Sequence, residues 1–198
     1  MPRTQPGVGY TAPLLPLRVK DMQAIHPMAE WRRTRRLLGA LLLAASCASV
    51  HAADPGLESG LLHALHLKKG TTDRVGTSGK AIAAYMREGY IGKRPDQRFD
   101  YTDYYLLKKP ASFMGHELVL IEEEYITQYI GCCVSPGAGV TVKVRGNTQN
   151  LQAFASAQRC TLTDPVDVQH ALSEVAIKAR LPQGHYASLS CRERDAQP

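Results

Sequence analysis

An uncharged, Leu- and Ala-rich run from Leu37 to Val50 follows Arg32, Arg33, Arg35 and Arg36, and it decides which part of the chain has to fold. Val50-His51-Ala52 then places small residues at the two positions a signal peptidase reads. A basic start, an apolar middle and a small-residue end make 28–52 a secretory signal peptide. The run is shorter than the ~20 residues of a membrane span, and it has no polar face for a buried amphipathic helix. Met28 is the natural start of such a signal, so residues 1–27 are expected to be a mis-assigned upstream extension. Residues 53–198 are expected to be a single exported domain in the periplasm. The stretch "LAASC" ending at Cys47 resembles a lipobox, with Ala44 where leucine is usual, and membrane attachment is expected only if Cys47 is lipidated.

Processing changes the charge. Lys plus Arg falls from 24 to 17 and Asp plus Glu from 18 to 16 on removal of residues 1–52, so the net charge of +6 becomes +1. A near-neutral domain gives no reason to expect nucleic acid or an anionic membrane as partner. The remaining length suffices for one domain with a proper core.

Four cysteines survive processing: the adjacent Cys132 and Cys133, then Cys160 and Cys191. An even count in an exported domain implies two disulfides. A Cys132–Cys133 ring needs a distorted peptide. In an extended strand the two side chains point to opposite faces. The expectation is that each bonds to Cys160 or Cys191, in either order, stapling a central strand to a helix and to the C-terminal strand. Neither the spacing nor the compartment suits zinc or a C-x-x-C redox pair.

Along the chain, 53–60 reads as a loose N-terminus and "LLHALHLKK" (61–69) as a mildly periodic helix. The stretch 70–80 is a glycine-punctuated loop that lacks Walker spacing, because Ala81 follows Lys80. Residues 80–92 and 98–110 read as strands, or as a strand after a short helix, and Pro110 ends the second. "HELVLIEEEYITQYIGCC" (116–133) carries the strongest strand signal, "SPGAG" turns it, and "VTVKV" (140–144) returns as a hairpin partner. Residues 146–160 form a helix capped by Asn147 or Thr148 and closed by Cys160. Pro165 is placed to begin a helix whose later half alternates like a strand. Residues 184–193 make a closing strand, and the charged tail from Arg192 is expected to fray. The fold class is α+β: a small single domain with an antiparallel sheet, one or two packed helices and two disulfides.

No catalytic constellation emerges. His116-Glu117 begins H-E-x-x-H, but Leu120 replaces the second histidine, and no G-x-S-x-G elbow occurs. His63 and His66 lack acidic or cysteine company for a metal. Glu122, Glu123 and Glu124 alternate faces on a strand, where a solvated face is a cheaper reading than paired glycosidase carboxylates. No cofactor is expected. One feature exceeds background: of eight tyrosines after Ala53, seven lie between Tyr85 and Tyr129, accompanied by Asp100, Asp103 and the three glutamates. Tyrosine with charge is a common composition of protein-binding surfaces, and equally that of ordinary strands, because tyrosine favours sheets. Tyr101, Asp103, Tyr104, Tyr105, Glu122, Glu123 and Glu124 are the candidate contact residues.

At "YIGCCVSPGAGVTVKVRGNTQNLQAFASAQRC" the chain resembles immunity proteins paired with type VI secretion lipase effectors. The resemblance lies in the Gly-Cys-Cys-x-Ser-Pro-Gly turn, the strand after it and the helix ending at a cysteine. "DYTDYYLLKKP" upstream is in keeping with it, so it covers residues 98–161. It implies a periplasmic protein that binds and blocks a phospholipase toxin, protecting the producing cell and its kin. No inhibitory motif carries over residue by residue. An inhibitor of a cell-wall hydrolase or an envelope ligand-binding module is the alternative, and an envelope enzyme using His116 or Glu122–Glu124 a further one.

Overall fold

A computed structural model describes residues 55–75, 77–125 and 134–197. Residues 1–52, where the upstream extension (1–27) and the signal peptide (28–52) are expected, and with them Cys47, lie outside the described residues, as do Cys132 and Cys133. The domain is α+β, with helices α1 (Pro55–Leu65), α2 (Ser78–Arg87), α3 (Gln149–Gln158) and α4 (Val168–Glu174). Its strands are β1 (Gln97–Phe99), β2 (Thr102–Phe113), β3 (His116–Glu124), β4 (Gly137–Lys143), β5 (Thr161–Thr163) and β6 (Tyr186–Arg192). They form one antiparallel sheet in the order β1-β2-β3-β4-β6-β5. The first four make a meander. The chain then crosses through α3 to the far edge at β5, and β6 inserts between β4 and β5.

Helices α1, α2 and α3 cover one face of the sheet. Leu61, Leu65, Ile82, Tyr85 and Leu151 pack there against Phe113, Leu118, Ile121, Val140 and Leu189. On the other face α4 alone brings Val168 and Leu172 onto Val119, Leu120 and Tyr186. A bulge sets this division. Val119 is an extra residue in β3 between the Leu118–Val142 and Leu120–Thr141 pairs. One inserted residue shifts the alternation, so Leu118 and Ile121 both face the three helices while Leu120, Glu122 and Glu124 face the other way.

Several sequence expectations need correction. Four helices replace one or two. Residues 53–60 are not a loose terminus throughout, since Leu57, Leu61, Ala64 and Leu65 make a helical stripe from Pro55 onward. Of the two readings of the segment from residue 80, the strand falls and the short helix holds as α2: Ala81, Ile82 and Tyr85 share a buried face, and its alanines favour helix. Pro110 does not end its strand, because residues 107–110 bulge between the Leu106–Leu120 and Ala111–Leu118 pairs, where a missing N–H is tolerated. The second half of 164–181 is not a strand, and Asp167, accepting from the His170 amide, caps α4 in place of Pro165. The tail does not fray at Arg192: Glu193–Ala196 form a 3-10 turn with Ala196 fully buried.

The disulfide expectation is overturned. Cys160 bonds to Cys191, so neither can staple the central pair, and this is the one disulfide among the described residues. The reason is β5. Thr161 pairs with Ser190, which continues the register to place Cys160 opposite Cys191, with Cα atoms 4.5 Å apart. That is the spacing of a non-hydrogen-bonded antiparallel pair.

Candidate functional site

The pleat separates the candidate residues into two groups. Tyr104, Glu122 and Glu124 lie on the face that α4 only partly covers, hereafter the open face. Asp103, Tyr105 and Glu123 lie on the helix-covered face. Tyr101 belongs to neither: it sits in the β1–β2 turn with φ 64°, after Asp100 with φ 43°. Two consecutive positive φ angles suit a hairpin of this hand, but tyrosine is an uncommon occupant of the left-handed region.

The open-face group is organised by an arginine that the sequence reading assigned to a frayed tail. Arg192 on β6 reaches across β4 to β3, with Nη2 2.7 Å from Glu122 Oε2 and Nε 2.9 Å from Glu124 Oε2. The Nε–H points off the second contact, so that pair is held by charge rather than by a hydrogen bond. Strands one apart from neighbours stand ~10 Å from each other, and the span is clear because β4 carries Gly137 and Gly139 opposite the two glutamates. A Cβ at Gly139 would sit 3.3 Å from Glu122 Oε2, and one at Gly137 would run into the Cys191 carbonyl. "SPGAG" is therefore only partly a turn; its glycines are the floor of an ion-pair crossing.

The crossing is tightly tied. Glu124 Oε1 accepts from the Ser135 amide and from Arg194 Nη1. Arg192 Nη1 donates to Ser190 Oγ, which donates to Asp195 Oδ2. Burial alone would lower the Arg192 guanidinium, but Glu122 and Glu124 outweigh it and hold it above its ordinary value. Beside the crossing, a cavity of about 190 Å³ opens beneath α4, lined by Tyr104, Leu120, Glu122, Thr141, Leu172 and Val175. Burial, reinforced by Glu122, raises the Tyr104 phenol, so it is neutral and able to donate. Phe99 pairs with Thr102, faces the same way and is 51 % exposed.

On the helix-covered face, Asp103 and Glu123 oppose each other across β2 and β3, and both are buried. Tyr125 OH accepts from Arg98 Nη1 at 2.6 Å and donates to Asp103 Oδ2 at 2.9 Å, while Arg98 lies over the Tyr125 ring. Tyr105 OH donates to the same carboxylate oxygen at 3.3 Å. Glu123 Oε1 accepts from Ser78 Oγ at 2.7 Å. Burial, then the charge of Asp103, raises the Glu123 carboxyl, and the Ser78 hydrogen bond opposes the rise.

His116 does not join either group. It stands at the opposite end of β3 from Glu123, seven residues away or roughly 23 Å along the strand. Its Nδ1 accepts from the Arg145 amide, which leaves Nε2 to donate to Asn150 Oδ1. His66 sits edge-on to Phe154, and no group of three or more His, Cys, Asp or Glu side chains fit for a metal occurs among the described residues. Tyr125 belongs to the tyrosine-rich stretch but not to the candidate contacts, and Arg98, Ser78 and Arg192 escaped the sequence reading. Glycines alternating along a strand opposite alternating glutamates were the signal for the last of these. No family model, curated protein or solved structure matches the chain.

Proposed function

We propose that this chain is a periplasmic immunity protein, binding an antibacterial lipase of a type VI secretion system and blocking it. The resemblance across residues 98–161 supplies the partner class. The observation that carries the geometry is the open face: Tyr104 at the mouth of a cavity of about 190 Å³, exposed Phe99 on the adjoining strand, and Glu122 fixed by Arg192. A cavity of ~150 Å³ holds benzene, whereas drug-sized ligands need ~300 Å³ or more. The cavity therefore suits one aromatic or branched side chain of a protein better than a free ligand. A tyrosine lining such a pocket is the makeup of a binding hot spot.

A second reading, an envelope ligand-binding module, draws on Thr141 and Ser188, whose hydroxyls line the same cavity. Volume weighs against it.

The test pairs Tyr104→Ala with Ala171→Trp, which fills the cavity from α4. In a sensitive strain expressing the cognate lipase in its periplasm, each should weaken protection. In binding, each should cost about 2 kcal/mol, or roughly 30-fold in Kd, with the thermal midpoint nearly unchanged for Tyr104→Ala. Full protection by both folded variants would move the interface elsewhere. Periplasmic co-purification that retains a different class of protein would defeat the lipase assignment itself.

A further inference from the structure

A second cavity, of about 340 Å³, opens at the N-terminal end of α2 on the helix-covered side of the sheet. Asp73, Glu123 and Glu193 contribute three carboxylates to its lining, and Arg74 is the one cation there. Arg74 is committed elsewhere. Its guanidinium donates to the carbonyls of Leu65, Gln158, Arg159 and Arg192, gathering the C-terminal ends of α1 and α3 onto β6. Arg98, whose charge also reaches Glu123, pairs with Asp103.

Glu123 is thus a buried carboxylate, 9 % exposed, with a serine hydroxyl for company and no ion-pair partner among the described residues. Its sequence neighbours Glu122 and Glu124 both have arginines. The positive end of α2 adds only about half a charge. Three acidic side chains against one arginine and that half charge leave the lining with more acid than base. A buried carboxylate left so is costly, and a cation entering the cavity relieves it. The volume reaches the low end of the range for small molecules, enough for an extended chain ending in a charged group.

We propose that this cavity binds a linear cation, an alkylammonium or guanidinium group, whose charge docks on the Glu123 carboxylate. The inference is independent of the lipase reading, and the cation has two sources: a free amine or an arginine side chain of a bound protein. The probes are agmatine, uncharged N-butylurea of similar shape, and the peptide acetyl-Gly-Arg-Gly-amide, each titrated into the labelled protein. Agmatine should shift the Ser78 and Gly79 amide signals saturably and N-butylurea should not. Glu123→Gln should weaken agmatine at least tenfold without lowering the thermal midpoint, and Asp73→Asn, at an exposed position, should weaken it several-fold. Tighter binding of the peptide assigns the cation to a protein, and tighter binding of agmatine assigns it to a free amine. Equal effects of agmatine and N-butylurea, or unchanged agmatine binding by both variants, would overturn the proposal.

Discussion

On the open face, Glu122 and Glu124 are clamped by Arg192 across two glycines. On the helix-covered face, one residue away in sequence, Glu123 faces a serine and a cavity. The three side chains are chemically identical and adjacent, yet two are held in ion pairs with Arg192 and one is pressed towards its neutral form. What differs is the strand next door. On the open face β4 offers no side chain at 137 or 139, so an arginine two strands away can reach. On the other face, Ala138 is fully buried among core residues, and Glu123 has no ion-pair partner among the described residues.

The largest effect expected from this contrast is Arg192→Ala. Removing one partner from a buried ion pair strands the other charges, at a cost of about 3–5 kcal/mol, to be measured by urea denaturation. Glu123→Gln in the same assay should cost nothing comparable. Equal losses would mean that the two faces are electrostatically alike. A smaller effect, about 1–3 kcal/mol, is expected for Gly139→Val, because the Cβ already meets Glu122 Oε2 and the Leu189 carbonyl at 3.3 Å. If Gly139→Val is silent, the glycine crossing is not what lets Arg192 reach.

The smallest effect is a pH dependence. Glu123 titrates above the ordinary carboxylate range in the folded chain because of burial and the Asp103 charge, with Ser78 and Arg98 opposing. Between its unfolded and folded values the folded protein keeps a proton that the unfolded chain has released. Its contribution to stability therefore falls as pH rises through that window. Asp73, Arg74 and Glu193 also face the carboxylate through the cavity. The stability of wild type relative to Glu123→Gln should decline from acid to neutral pH, and a flat difference would place Glu123 in an ordinary solvated setting.

How much of this was legible depended on whether the cause lay near its effect in sequence. The β3 strand, its return as β4, the helix before Cys160 and the closing strand β6 all announce themselves by local periodicity, as does the splitting of Tyr104 from Tyr105. Helix α2 stood only as an alternative to a strand because of Ile82, Tyr85, Tyr90 and Ile91, residues that favour strands in isolation but fall on one helical face or just beyond it. Strand β5 is three residues long, too short to show alternation, and without it Cys160 had no visible route to Cys191. Arg192 looked like the start of a charged tail because its partners lie 70 residues away.

Both outer strands of the sheet, β1 and β5, are three residues long. An edge that short offers a neighbouring chain almost no ladder to extend, a common defence against sheet-to-sheet polymerisation. The same brevity restricts how anything can recognise the domain. Strand addition, which draws its affinity from a run of main-chain hydrogen bonds, has little to hold at either end. A partner of the kind proposed would therefore have to engage side chains on the faces of the described domain, and its discrimination from close relatives would rest on individual residues such as Tyr104 and not on backbone shape.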